Sequence, residues 1–305
     1  MKMKKNKTSL VTGGYGLVGS SINTNVRIGR EVNLVNRDET LKMFELHNPT
    51  HVIHCAGKVG GVGGNMNYKG EYFYDNIMIN TNVIESARKT NVKNLVCFLS
   101  TCVFPDNVNY PLTEDMIHLG EPHSSNYPYA YAKRMADIQI RAYREQYGLN
   151  YTSVIPTNIY GPNDNFSLEH GHVMPMLIHK LYLAQKNNTD FTVWGSGRPL
   201  REFIFSKDVA KLSEWAVENY NESEPIIFSP SQEISIIDLV DLLVREFNFK
   251  GKVIFDNTKP DGQFRKQSDN SKLKSYLPDF KFTPIEEGIN ETVSWFLKNY
   301  ENARK

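Results

Sequence analysis

Short apolar runs alternate with longer amphipathic stretches through the first half of the chain. Ser9-Leu-Val-Thr12, Glu31-Val-Asn-Leu-Val-Asn36, Thr50-His-Val-Ile-His-Cys-Ala56, Leu95-Val-Cys-Phe-Leu-Ser100 and Tyr151-Thr-Ser-Val-Ile-Pro156 read as strands. Runs this short, several of them ending at glycines or a proline, fit strands buried in a sheet. Asn80–Lys89 and Tyr129–Tyr147 read as helices, the second with Ala132, Ala136, Ile140 and Tyr143 along one stripe. Strand and helix in alternation predict an α/β fold, a doubly wound parallel sheet.

After Gly161-Pro162 the pattern changes. His172–Gln185, Ile234–Phe247 and Ile285–Tyr300 read as helices, and Phe191-Thr-Val-Trp-Gly195 as a strand entering a glycine turn. Phe203-Ile-Phe205 leads to a helix whose expected cap is Ser206 or Asp208. The reading is a sheet domain over 1–160 and a smaller mixed α/β substrate-binding domain over 161–305. Part of 200–230 is expected to return to the sheet. No repeat and no low-complexity linker interrupts this order.

Composition narrows the class. A chain of 305 residues can bury a large core, and 40% hydrophobic with 23% charged residues is ordinary for a globular protein. A formal charge of +1, with no basic block after the first seven residues, points away from nucleic acid. No apolar run approaches the roughly 18 residues of a membrane span. The basic start is followed only by Leu10-Val11 before Gly13-Gly14, too short for a signal peptide. Three cysteines, odd in number and without metal-ligand spacing, suggest no metal and a reducing, cytoplasmic setting.

Gly13, Gly16 and Gly19 follow the first strand, where a dinucleotide pyrophosphate can approach bare backbone. Gly57, Gly60 and Gly63 repeat the spacing, so position after the first strand decides between them. The expected end of the second strand reads Asn36-Arg37-Asp38. An arginine there suits a 2′-phosphate, hence NADP(H), while Asp38 keeps NAD open.

The chemistry centres on Ser100-Thr-Cys102 at a strand end and Tyr129-Ala-Tyr-Ala-Lys133 at a helix start. Residues four apart share a helix face, and an ammonium beside a phenol is expected to lower the phenol pKa. Ser100 can hold a carbonyl oxygen. A second Tyr-x-x-x-Lys, Tyr182 to Lys186, shows that the spacing alone is weak. Cys102 falls just past a strand end, whereas Cys97 lies inside the strand as a buried apolar residue. His51 and His54 are read as structural. Arg201, with Arg198 as competitor, suits a diphosphate, and Trp194 can stack or pack.

With these residues the chain resembles the extended short-chain dehydrogenase/reductases. It is most similar to their GDP-L-fucose-forming branch, through Gly13–Gly19, Lys58-Val-Gly-Gly61, Ser100–Pro105, Pro156–Pro162, Gly171–Pro175, Val193–Gly197 and Lys259–Gly262. The resemblance implies a Rossmann-like fold. It also implies NADPH-dependent 3,5-epimerisation and 4-reduction of GDP-4-keto-6-deoxy-D-mannose to GDP-L-fucose.

Residue by residue, it implies Ser100, Tyr129 and Lys133 as a reductase triad, and Cys102 and His172 as base and acid of epimerisation. Cofactor contacts would come from Leu17, Val18, Ala56, Lys133, Pro156, Asn158, Ile159 and His172. Lys180, Trp194, Arg201 and Asp261 would hold the GDP-sugar. A homodimer built on the Asn80–Lys89 and Tyr129–Tyr147 helices is implied too.

Two departures stand out. Arg37–Thr50 looks short, as if a helix after the second strand were missing or trimmed. Tyr15 also stands where bacterial members of that branch often carry an arginine. The alternatives are another NAD(P)-dependent nucleotide-sugar epimerase, dehydratase or reductase, and a non-catalytic NADP-binding scaffold.

Overall fold

The apolar runs pair into a six-stranded sheet, seen in a computed structural model that describes residues 7–259 and 261–305. Residues 1–6, with most of the basic start, and Pro260 of the Lys259–Gly262 motif lie outside the described residues. The strands are β1 Ser9–Thr12, β2 Val26–Ile28, β3 His51–His54, β4 Asn94–Phe98, β5 Asn150–Pro156, β6 Asn158–Tyr160, β7 Phe191–Trp194, β8 Leu200–Phe205, β9 Ile226–Phe228, β10 Glu233–Ser235 and β11 Val253–Asp256. The helices are α1 Arg37–His47, α2 Val62–Asn67, α3 Lys69–Lys89, α4 Tyr127–Tyr147, α5 Val173–Asn187, α6 Ser206–Asn219, α7 Ile236–Glu246, α8 Ser271–Tyr276 and α9 Ile285–Lys298.

The main sheet runs β2-β1-β3-β4-β5-β9 and is parallel throughout. Alternate residues of each strand face opposite sides. Leu10, Val52 and Leu95 pack with α1, α3 and α4 through Phe44, Val83, Ile84 and Ile140. Val11, Ile53 and Val96 pack with α6 through Val209, Leu212 and Ala216. Both faces are covered, which is why these strands lack polar alternation. The winding reverses between β1 and β3, and a crevice at the carboxyl ends of strands at such a reversal is the usual ligand site.

The remaining strands form two small sheets, β10-β8-β6 and β11-β7. They share a core with α5, α7 and α9, built on Leu177, Leu181, Phe191, Leu239, Leu243 and Phe296.

Three expectations are corrected here. Glu31–Asn36 is not a strand; the second strand is Val26–Ile28. The Asn33 Oδ1 accepts from Val35 N at 3.1 Å, and the Asn36 Oδ1 accepts from Asp38 N and Glu39 N at 3.0 and 3.2 Å. Such local asparagine bonds compete with ladder pairing and favour a turn and a helix cap. Arg37 is therefore the first residue of α1 rather than a strand-end residue.

Nor is a helix missing after the second strand, since α1 occupies Arg37–His47. The shortened connection is Gly13–Asn25, between β1 and β2, which holds only a 3-10 turn at Gly19–Ser21. Finally, α6 is not capped by Ser206 or Asp208. Its cap position is Phe205, and Asp208 accepts from Thr283 N at 2.6 Å and Thr283 Oγ1 at 3.0 Å.

Because Asn36 caps α1, Asn36→Ala should lower stability by about 1 kcal/mol in urea unfolding. No loss would show that the cap bonds carry no net weight.

Candidate active site

Both ends of the β1–β3 reversal are built from glycine. Gly13 has φ +67°, and a Cβ there would lie 2.9 Å from the Ala56 amide nitrogen. A Cβ on Gly19 would overlap the Gly13 carbonyl. The loop thus folds tightly on itself and against the residues after β3. Val18 is buried and Leu17 packs on the same core. A cradle in which side chains cannot fit suits a dinucleotide lying against backbone.

The second glycine set does different work. Gly61 N donates to His170 O at 2.9 Å, so the loop after β3 holds the segment that precedes His172. The residue that follows the second strand and its glycine is Arg30, so Arg30 takes the place expected for Arg37.

The reacting groups gather past the end of β4. Lys133 is 2% exposed and donates from Nζ to Phe98 O at 2.7 Å. Its ammonium lies 5.9 Å from the Tyr129 ring centre. Burial holds the Lys133 pKa below its usual value. The expected lowering of the Tyr129 pKa is not found. Burial raises it, followed by the nearby Cys102, Cys97 and Tyr72, because a buried phenolate is poorly solvated. Tyr129 rests as a neutral phenol, the form that gives a proton.

Ser100 precedes the 3-10 turn Thr101–Val103, and its Oγ accepts from Cys102 N at 3.4 Å. Cys102 is half-buried, while Cys97 is fully buried with its thiol pushed up to about 11. Asn126 was missed in the sequence. It stands at the cap position of α4 but makes no cap bond; its Nδ2 donates to Cys102 Sγ at 3.0 Å. An asparagine three residues before the tyrosine reads as an ordinary cap, so only the fold reveals this contact.

His172 stands at the cap position of α5. The residue is exposed at the surface, yet surrounding protein, and Arg304 after it, keep its pKa below 6.5. It is neutral at pH 7. His54 is structural in form, bonded to Thr12 Oγ1 at 2.6 Å and Asn80 Oδ1 at 3.1 Å.

Asn158 donates to Glu202 O at 2.8 Å, just past Pro156, and Ile159 packs on the core behind it. Tyr182 and Lys186 belong to an aromatic cluster with Tyr300 and Phe296, away from Ser100.

A separate open cavity of about 410 Å³ is lined by Ser196, Arg198, Phe255, Asn257, Lys259 and Asp261. Asp261 accepts from Ser196 N at 2.6 Å and Ser196 Oγ at 2.7 Å, which fixes the turn after Trp194. Lys180 Nζ sits 4.4 Å over the Trp194 ring. Arg201 donates to Leu200 O at 2.7 Å, and burial lowers its pKa. Among the described residues, no group of three or more His, Cys, Asp or Glu side chains is gathered for a metal, and no helix is long and apolar enough to cross a membrane.

Residues 22–229 match the model of the NAD dependent epimerase/dehydratase family, more than half of the chain. The chain belongs to that family. It is 52% identical over 313 residues to the GDP-L-fucose synthase of Dictyostelium discoideum, covering 98% of each chain. It is 42% identical over 320 residues to a probable GDP-L-fucose synthase of Drosophila melanogaster, covering 98% of this chain and 100% of that one. A crystal structure of a GDP-L-fucose synthetase from Naegleria fowleri bound to NADP superposes with a TM-score of 0.94 at 44% identity, covering 100% of this chain and 97% of that chain.

One buried acid sits close to this family member's His172 segment. Asp164 is 2% exposed; its Oδ1 accepts from Asn165 N at 2.6 Å, and among the described residues its Oδ2 has no partner. Burial pushes its pKa up to about 7, only partly offset by the Asn165 amide and then Arg304. In the unfolded chain the group ionises near pH 4, so stability falls as pH rises from about 4 to 7. Asp164→Asn should therefore be more stable than the parent at pH 8, by about 2–4 kcal/mol, with the gap shrinking toward pH 5. Urea unfolding at both pH values checks this; an equal gap at both would refute it.

Proposed function

We propose that the chain is an NADPH-dependent enzyme that converts GDP-4-keto-6-deoxy-D-mannose to GDP-L-fucose, by epimerisation at C3 and C5 and reduction at C4. The observation that carries the reading is the Cys102 thiol, held by Asn126 beside the neutral phenol of Tyr129. The likeness to relatives so named over nearly whole chains supports it. In this reading the first unit, 1–160 with part of 200–230, holds the cofactor, and the rest holds the GDP-sugar. Free thiols at Cys55, Cys97 and Cys102 fit a reducing, cytoplasmic setting.

The protons at C3 and C5 are acidic because removing either gives an enolate with its charge on the C4 oxygen. Ser100 and Tyr129 donate hydrogen bonds to that oxygen. Cys102 and His172 work from opposite sides, one taking the proton and the other returning it with inversion. A neutral His172 can accept a proton, consistent with its lowered pKa. NADPH bound at the glycine loop supplies the hydride for C4. Tyr129 gives its proton to the resulting alkoxide, and the Lys133 ammonium, 5.9 Å from the Tyr129 ring centre, would help hold the cofactor. Gly13, Gly16, Leu17, Val18, Gly19 and Ala56 carry the dinucleotide, with Arg30 on the 2′-phosphate in place of Arg37. Pro156, Asn158 and Ile159 frame the nicotinamide. Lys180, Trp194, Arg201 and Asp261 hold the GDP-sugar, Arg201 toward the diphosphate.

Purified protein should oxidise NADPH with the keto sugar and release GDP-L-fucose. Cys102→Ser should slow solvent-deuterium uptake at C3 and C5 by about a hundredfold or more, while reduction of a pre-epimerised sugar falls much less. Tyr129→Phe should slow reduction most, with a smaller loss of exchange, because the phenol protonates the alkoxide but shares the enolate oxygen with Ser100. No NADPH use, an unepimerised product, or equal losses in both steps would refute the assignment.

A homodimer is part of this proposal. Helices α3 and α4 pack side by side and leave Phe73, Tyr74, Met135 and Ile138 between 42% and 57% exposed. Pairing with the same helices of a second copy would bury them. Ile138→Arg should then shift the mass seen by light scattering from dimer to monomer; a parent protein that is already monomeric would rule the dimer out.

A further inference from the structure

The crossover from β1 to β2 departs most from an ordinary dinucleotide fold. The glycine loop runs into the Gly19–Ser21 turn, and the chain re-enters the sheet at Val26 with no α-helix between. A ten-residue helix after such a loop would carry its carbonyl end about 15 Å from the ligand. A three-residue 3-10 turn separates its ends by only roughly 6 Å. Carbonyls at that far end carry partial negative charge, so a dinucleotide held on this loop would have them close to its phosphates and opposing it.

Arg27, on β2, meets those carbonyls. Its Nη1 donates to Gly14 O at 3.1 Å and also to Gly19 O, and its Nη2 donates to Ile22 O at 2.5 Å. The three acceptors come from the start, middle and end of the loop, so one planar fork ties the whole turn together. The backbone is equally close: Gly14 N donates to Ile28 O at 2.8 Å, and a Cβ on Gly14 would lie 2.9 Å from Arg27 Cβ. All of the guanidinium's bonds described here go to carbonyls and none to a carboxylate, so its charge acts on the loop.

We propose that Arg27 is a positioning residue of the dinucleotide site, its guanidinium standing in for the absent helix by fixing the loop amides and neutralising the carbonyl end beneath them. This rests on the glycine loop being the NADPH site. Arg27 touches neither substrate nor hydride; it acts through the loop on the pyrophosphate.

The test compares Arg27→Met and Arg27→Lys with the parent. NADPH affinity is read by fluorescence, adenosine 2′-monophosphate affinity by competition, and folding by thermal melting. Arg27→Met should weaken NADPH about tenfold or more, seen also as a raised KM for NADPH with a smaller change in kcat. Adenosine 2′-monophosphate, which has no pyrophosphate, should bind as before. Arg27→Lys keeps the charge without the fork and should fall between. If Arg27→Met does not fold, Arg27→Lys decides, with a loss of NADPH affinity of about threefold or more expected. NADPH affinity within about twofold of the parent in the folded variants, even with a lower melting temperature, overturns the proposal. A parent protein that does not bind NADPH overturns the cofactor reading instead.

Discussion

The bond from Lys133 Nζ to the Phe98 carbonyl fixes the reactive centre. It joins the first turns of α4 to the last residue of β4 inside the protein, where an ammonium without a partner would be costly. Apart from His172, the residues proposed to react lie within a few residues of its two ends. Tyr129 is one turn from Lys133, and Ser100 and Cys102 follow Phe98 by two and four residues. Asn126 closes the same ring from the helix side through the Cys102 sulfur. Shifting α4 along the sheet would break this bond and separate the phenol from the thiol together.

Burial, more than charge pairing, sets the electrostatics of this ring. Tyr129 keeps its proton, Cys97 is inert, and His172 stays neutral, all because protein replaces water around them. In the proposed reaction the phenol of Tyr129 and the imidazole of His172 would start neutral beside the Lys133 ammonium, and negative charge would arise on the substrate oxygen. Fixed donors then act without having to reorganise.

Much of this was legible in the chain. Four of the five sheet runs were readable because they are short, apolar and end at glycine, serine or proline. The Ser100, Cys102, Tyr129 and Lys133 spacing survived intact because strand ends and helix faces convert spacing directly into position. Glu31–Asn36 misled because Val32, Leu34 and Val35 look like a strand, while the asparagines between and after them bend the backbone locally. That error moved the second strand and carried Arg37 with it. The phenol pKa was misjudged because spacing says that Lys133 is near but not that its ammonium is turned to Phe98 O. Asn126 was invisible because a cap position and a sulfur contact look identical in sequence. The substrate residues follow mainly from likeness, since Trp194, Arg201 and Asp261 meet only through turns of the smaller sheets.

The short crossover ties the sequence of β2 to the length of the loop before it. One arginine bonds the carbonyls of the short loop, so loop length and the residue at position 27 are coupled. A helix inserted between Ile22 and Val26 would need an apolar side chain there and would have to expel the guanidinium. Conversely, an apolar residue at 27 in this short loop would leave the Gly14 and Ile22 carbonyls without the donors they have now, while Gly19 O would keep only the Ile22 amide.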